Sequence, residues 1–237
     1  MPTMPKAIDI LSKALSTMGK NRIDINSLHS MTYEIMIKER DRYYNGRVDT
    51  ILSQINIPDE NKKLVKEKLL EPIDVDGKEY SNFMEEVSRR VSQAFQPLSG
   101  NLAELIVEWE LNNMGLKKDI HYRRRIEHTD FIIFYPNVKN PLSRHRIEVK
   151  NVSLRERATR GLSFDGDSLF GFFNQSNEFT EENVNILNDL AKKNGGFCYV
   201  PPDLLKDIGS NPDRLRSNER FGADMYYFTR NGKLPTL

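Results

Sequence analysis

The sequence predicts an α/β protein whose core runs helix, three strands, helix, strand, behind a helical N-terminal extension. Three observations predict it. Residues 5 to 97 space their apolar side chains almost wholly at helical intervals. From Ser99 the pattern gives way to short apolar runs bounded by Pro136-Asn137 and Pro141-Leu142. A capped helix from Thr180 to Lys193 then separates those runs from one further strand at Phe197 to Val200.

Taken in order, helices are expected near 5 to 18, 26 to 44, 47 to 55, 59 to 70 and 81 to 96. Breaks fall at Gly19, Gly46, Pro58 and the turn Asp74-Val75-Asp76-Gly77-Lys78, which alternatively joins two short strands. A helix from Asn101 to Met114 ends at Gly115, a residue free to take positive φ. Strands follow at about 119 to 127, 130 to 135 and 145 to 152. A polar, glycine-containing loop leads to a short helix at Ser168 to Asn174, and the helix from Thr180 is closed by Gly195-Gly196. The tail reads as a short helix near Asp203 to Ile208, a polar run from Asn211 to Arg220, and a last strand at Met225-Tyr226-Tyr227-Phe228 before an Asn231-Gly232 turn. The chain therefore divides into a helical region, 1–98, and a core with a C-terminal extension, 99–237.

Composition narrows the classes. With 38% hydrophobic and 29% charged residues, the 237-residue chain reads as a soluble globular protein. Its longest apolar run, Phe131 to Tyr135, is far below the roughly 18 residues of a membrane span. The opening Met1-Pro2-Thr3-Met4-Pro5-Lys6 leads into an amphipathic stretch rather than a signal-peptide core, so a cytoplasmic location and no membrane partner are expected. A single cysteine, Cys198, excludes an internal disulfide and a cysteine-built zinc site. The four histidines, His29, His121, His128 and His145, lack zinc spacing, and Gly161 to Asp167 lacks the lysine of a phosphate loop, so no nucleotide cofactor is expected. Trp109 suits a helix core. The net charge is only +1, yet residues 117–160 carry +7 and the remainder −6. Such a local basic surface fits phosphate binding and a solvated sheet face equally well.

The chemistry lies in Glu148-Val149-Lys150. Strand periodicity puts Glu148 and Lys150 on one face and Ile147 and Val149 on the other. The sequence holds two more acid-x-lysine triplets, but Glu60-Asn61-Lys62 opens a helix and Asp76-Gly77-Lys78 sits in a turn. Only Glu148-Val149-Lys150 lies in a strand shortly after a second apolar strand that an acid, Asp130, opens. Two carboxylates and an ammonium at a sheet edge suit a hard divalent cation and a positive charge beside an attacked phosphodiester.

Asp130, Glu148-Val149-Lys150, and a preceding helix that contains Glu104 together resemble the PD-(D/E)xK nuclease superfamily, and within it the type II restriction endonucleases. The resemblance spans roughly residues 99 to 201 and includes the element order read above. Thr129 stands where the family often has proline. The resemblance implies a mixed central sheet of restriction-endonuclease type, with an α-β-β-β-α-β core. It further implies Mg²⁺ on Asp130, Glu148 and the Val149 carbonyl, with Mn²⁺ as a substitute and Ca²⁺ bound without cleavage. Lys150 would orient or activate the water, and Glu104, with Glu108 on the same helix face and Glu110 as its rivals, would support the site. The implied partner is double-stranded DNA cut at a specific sequence, by a homodimer whose helical region supplies dimer contacts or a DNA clamp.

Past the strand, Asn151, Ser153, Arg155, Arg157 and Arg160 lie in a loop suited to phosphates or base edges. Arg123 and Arg125 share one strand face, with Arg124 on the other, and fit phosphate contact or plain solvation. A repair, recombination or RNA-processing nuclease of the same core, and a non-catalytic DNA-binding protein, remain open alternatives.

Overall fold

The computed structural model describes residues 3–19, 24–56, 58, 61–62, 73–80, 83–151, 164–173, 176–208 and 212–236. The chain packs as two compact units, Met1–Thr17 with Met31–Asn101, and Met18–Ser30 with Leu102–Leu237.

In the first unit, α1 (Ala7–Met18) buries Ala7, Ile10, Leu11 and Ala14, a stripe at helical spacing. α2 (Ile25–Gln54), which begins in the second unit, runs unbroken through Gly46, where the sequence suggested a break. β1 (Ile73–Val75) and β2 (Lys78–Tyr80) form an antiparallel hairpin, the strand alternative for this segment. Asp76 and Gly77 both take positive φ there, and the Gly77 N–H donates to Asp74 Oδ1 at 3.0 Å. The helix expected near 59 to 70 lies almost wholly outside the described residues.

α3 (Phe83–Asn113) replaces the two helices expected from 81 to 114. Pro97 and Gly100 do not end it, because Val87, Val91, Phe95, Leu98, Leu102 and Ile106 keep one buried stripe in phase across them. Burying each such side chain contributes about 1.5–3 kcal/mol, which outweighs about 1 kcal/mol for glycine and offsets much of the roughly 3 kcal/mol for proline.

The second unit is built on a six-stranded sheet in the order β3 (Tyr122–Ile126), β4 (Thr129–Tyr135), β5 (Ser143–Asn151), β6 (Ser168–Phe172), β7 (Cys198–Val200) and β8 (Leu215–Ser217). The pairs β3·β4 and β4·β5 are antiparallel, whereas β5·β6, β6·β7 and β7·β8 are parallel. The sheet is therefore mixed, and β5 is the strand where chain direction switches. α4 (Glu181–Asn194) joins β6 to β7, with the Thr180 hydroxyl accepting from the Asn183 N–H and Gly195 in the left-handed conformation that ends it. Its Val184, Leu187 and Ala191 pack with Leu169, Cys198, Val200 and Leu215 of the sheet. Burial pushes the Cys198 thiol up to about 12, leaving it an inert strand side chain. Phe221, on the last helix, stacks edge-on against Phe170 and Tyr199.

Three expected elements are corrected. Ser168 to Asn174, read as a short helix, contains β6, all five residues of which are buried. A parallel strand covered on both faces loses the polar alternation that marks a strand in sequence. Met225 to Phe228, read as a strand, lies in α6 (Phe221–Asn231), whose buried Phe221, Met225 and Phe228 stand at helical spacing. The polar run from Asn211 contains the edge strand β8, and α5 (Pro202–Asp207) precedes it. Among the described residues no helix is long and apolar enough to cross a membrane.

Candidate active site

The antiparallel register of β4 and β5 ends at the pair Phe131 and Ile147, so that Asp130 on β4 and Glu148 on β5 are the next residues past the last ladder pair. Two like charges so placed repel unless a cation or hydrogen bonds intervene. Asp130 Oδ2 accepts from the Val149 N–H at 2.6 Å. Burial raises the Asp130 pKa; the Val149 N–H opposes the rise, Glu104 and Glu148 add to it, and Lys150 works against it. Glu148 is buried, its Oε2 accepts from the Asp165 N–H at 2.7 Å, and its Oε1 is ion-paired with Lys150 Nζ. Glu148 and Lys150 thus share one face, as strand periodicity requires.

The parallel neighbour shapes the same place. Lys150 pairs with Gly171 of β6, where a Cβ would lie 1.9 Å from the Phe173 ring. Glycine is the residue that lets the chain pass there. Gly166 performs a similar task beside Glu148, where a Cβ would stand 2.9 Å from the Glu148 backbone nitrogen.

Behind the pair, Glu104 projects from α3 and takes hydrogen bonds from Arg124 Nη2 at 2.9 Å and from Arg125 Nε at 2.8 Å. Its rival Glu108 is held by Arg124 Nη1 at 2.5 Å, by the Tyr122 hydroxyl at 3.3 Å and by Lys118. Glu104 is the helix acid whose charge reaches Asp130. The expected separation of Arg124 and Arg125 onto opposite faces is corrected, because Arg125 has φ 51° and the alternation breaks at that residue. Arg123 stays exposed, 3.6 Å from Asp119.

Asn151, the next residue after Lys150, meets a partner that sequence reasoning did not select. His29 Nε2 lies 3.1 Å from Asn151 Oδ1, and the His29 ring stacks on Phe172 at 4.0 Å between centroids. Burial holds the His29 pKa down to about 4, so at neutral pH it meets Asn151 uncharged. No local signal marks it, since the contact joins residues 122 positions apart. Ser153, Arg155, Arg157 and Arg160 lie outside the described residues.

Among the described residues no group of three His, Cys, Asp or Glu side chains is arranged to hold a metal ion. The donor set is instead a carboxylate pair on adjacent strands with an ammonium beside it. That chemistry fits a cation such as Mg²⁺, which takes one or two carboxylates and completes its shell with waters and substrate oxygens.

No protein-family profile and no curated protein sequence matches the chain. Solved structures do. A structure of metal-depleted Ecl18kI in complex with uncleaved, modified DNA aligns over 96% of this chain and 79% of its own, with a TM-score of 0.63 and 14% identity. The restriction endonuclease PspGI in its substrate-DNA complex aligns over 96% of this chain and 94% of its own, at 0.59 and 17%. A second metal-depleted Ecl18kI complex, with uncleaved DNA, aligns over 98% and 82%, at 0.63 and 14%. The fold is that of the PD-(D/E)xK restriction endonucleases. On this restriction-endonuclease sheet the acid of β4 and the triplet of β5 meet where the antiparallel half adjoins the parallel half.

Proposed function

We propose that the chain is a Mg²⁺-dependent, sequence-specific endodeoxyribonuclease that hydrolyses phosphodiester bonds in double-stranded DNA as a homodimer. The observation that carries this reading is Asp130 and Glu148 on adjacent strands, each next to the last β4–β5 ladder pair, with Lys150 ion-paired to Glu148, in a fold whose solved neighbours are restriction enzymes bound to DNA. Asp130, Glu148 and the Val149 carbonyl would hold the cation. When bound there, Mg²⁺ supplies a Lewis acid that makes a water more acidic and offsets charge on the phosphate. Lys150 donates a hydrogen bond to the attacking water and keeps a positive charge beside the phosphate as negative charge develops on it. Glu104 supports Asp130 from α3. Asn151, Ser153, Arg155, Arg157, Arg160 and Arg123 are assigned to DNA, the arginines chiefly to phosphates. Residues 1–98 are assigned to dimer contacts or a clamp, since cutting both strands of a palindrome calls for two active sites about a two-fold axis.

The deciding experiment digests defined plasmid DNA with Mg²⁺ and maps the ends by sequencing. A discrete, site-specific ladder that EDTA abolishes is expected; structure-dependent cuts would move the protein to the repair class, and no cutting with any divalent cation would leave a DNA-binding protein. Asp130→Ala and Lys150→Ala should each retain folding and DNA affinity while losing cleavage by at least about 10³-fold, or about 4 kcal/mol of transition-state stabilisation. An unchanged cleavage rate in either would overturn the assignment. Mn²⁺ binding by calorimetry should disappear in Asp130→Asn.

A further inference from the structure

Arg125 departs from what a strand residue does. Alternation sends consecutive side chains to opposite faces, yet Arg124 and Arg125 reach the same carboxylate, Glu104. Arg125 makes two of those bonds, Nε to Oε2 at 2.8 Å and Nη2 to Oε1 at 3.1 Å, the parallel fork that a guanidinium offers a carboxylate. The cause is in the backbone. Arg125 sits at φ 51°, in the left-handed region that residues with a Cβ seldom occupy, just before a two-residue turn in which Glu127 and His128 also have positive φ. The ladder pairs Arg124 with Phe131 and Ile126 with Thr129, so Arg125 stands across from Asp130. Backbone strain of this kind persists where the surroundings over-determine it, and it collects at functional sites. A turn alone would be served by glycine, or by asparagine.

We propose that Arg125 is a positioning residue: its left-handed backbone swings a second guanidinium onto Glu104 and fixes that carboxylate beside Asp130. This rests on the nuclease reading above and takes Arg125 out of the DNA-contacting set. Arg124 donates to the same Oε2 of Glu104 while its second arm holds Glu108, so two guanidiniums hold the acid. The two arginines differ in exposure, 12% for the Arg124 side chain and 57% for that of Arg125, which makes Arg125 the arm that can be changed without opening the core.

The test compares Arg125→Gly, Arg125→Asn, Arg125→Lys, Glu104→Gln and the Arg125→Gly/Glu104→Gln double variant. Four quantities are read: melting temperature, Mn²⁺ affinity by calorimetry without DNA, the Mg²⁺ concentration for half-maximal cleavage, and DNA affinity in Ca²⁺ across a salt series. Arg125→Gly should melt no lower than the parent, since glycine accepts the backbone freely, yet bind Mn²⁺ and require Mg²⁺ about 10- to 100-fold less favourably. Arg125→Asn should match it, and Arg125→Lys should recover part of the loss. The double variant should be no worse than Glu104→Gln, and DNA affinity and its salt slope should stay within twofold of the parent. A weakened DNA affinity with a salt slope reduced by about 1, at unchanged Mn²⁺ affinity, would show a phosphate contact and overturn the proposal. Parent-like metal binding in Arg125→Gly, or in Glu104→Gln, would overturn it as well. If Asp130→Ala still cuts, the nuclease reading itself fails; if Asp130→Ala is inactive while Arg125→Gly behaves as the parent, only the positioning role fails.

Discussion

Two charged clusters lie on the same sheet, and they are built on opposite principles. On β7, β8 and α6, Arg216 Nη1 donates to Asp224 Oδ2 at 2.6 Å, the Tyr199 hydroxyl donates to the same oxygen at 2.9 Å, and Arg216 Nη2 donates to the Pro235 carbonyl at 3.0 Å. The guanidinium rests 3.7 Å from the Phe197 ring centroid. One cation meets one anion, both are buried, and the backbone around them is regular. On β4 and β5 two carboxylates, Asp130 and Glu148, lie just past the last ladder pair with one ammonium, Lys150, on Glu148; the hydrogen bond to Asp130 comes from a backbone N–H, and the neighbouring strand holds a left-handed arginine. A structural ion pair is matched in charge. The proposed cation site instead gathers two carboxylates from adjacent strands and carries backbone strain beside them.

The contrast can be broken by mutation. The largest effect is expected at the two carboxylates, where Asp130→Asn should lose cleavage by at least about 10³-fold, equal to about 4 kcal/mol, while keeping or raising the melting temperature because a buried carboxylate whose pKa Glu104 and Glu148 help to raise is gone. A lowered melting temperature with cleavage intact would reverse the roles of the two clusters. In the matched cluster, Asp224→Ala leaves Arg216 buried without its carboxylate and should cost about 3–5 kcal/mol in urea denaturation, with cleavage by the folded fraction retained. A change below about 1 kcal/mol would show that the pair is not structural.

The pH dependence ranks next. His145 is buried with Nε2 2.8 Å from Ser168 Oγ, and burial holds its pKa down to about 4, as it does for His29. The unfolded chain takes up these protons near pH 6.5, before the folded one does. Stability is therefore complete above about pH 6.5 and declines as pH falls toward 4, by on the order of 2–3 kcal/mol per histidine. Urea denaturation at pH 7 and pH 4.5 measures it, and His145→Gln should flatten part of the decline. The smallest effect is local: Thr180→Ala removes the acceptor for the Asn183 N–H at 3.3 Å and should cost about 1 kcal/mol, leaving cleavage as it was.

Legibility followed the range of the interactions. The helix from Thr180 was readable because its caps are neighbours in sequence. The sequence also singled out Glu148 and Lys150 as a same-face pair, since period two is a property of one strand. β6 and α6 were misread because whether Ser168–Phe172 or Phe221–Asn231 is covered on one side or two depends on distant packing. The gap expected between helices at 81 to 96 and Asn101 to Met114 failed in the same way, closed over Pro97 and Gly100 by a long buried stripe.

What the sequence determined by itself is therefore the set of groups: Asp130 opening one strand, Glu148 and Lys150 on the next, a helix acid before them and basic charge around them. Only the tertiary structure decided their arrangement. The register that brings Asp130 and Glu148 to the end of one ladder, the left-handed backbone at Arg125 that lets it hold Glu104, and the seat of His29 on Asn151 join elements across the fold. Ladder pairing and burial select such contacts among many that local propensity permits equally, so they emerge only when the whole sheet is assembled.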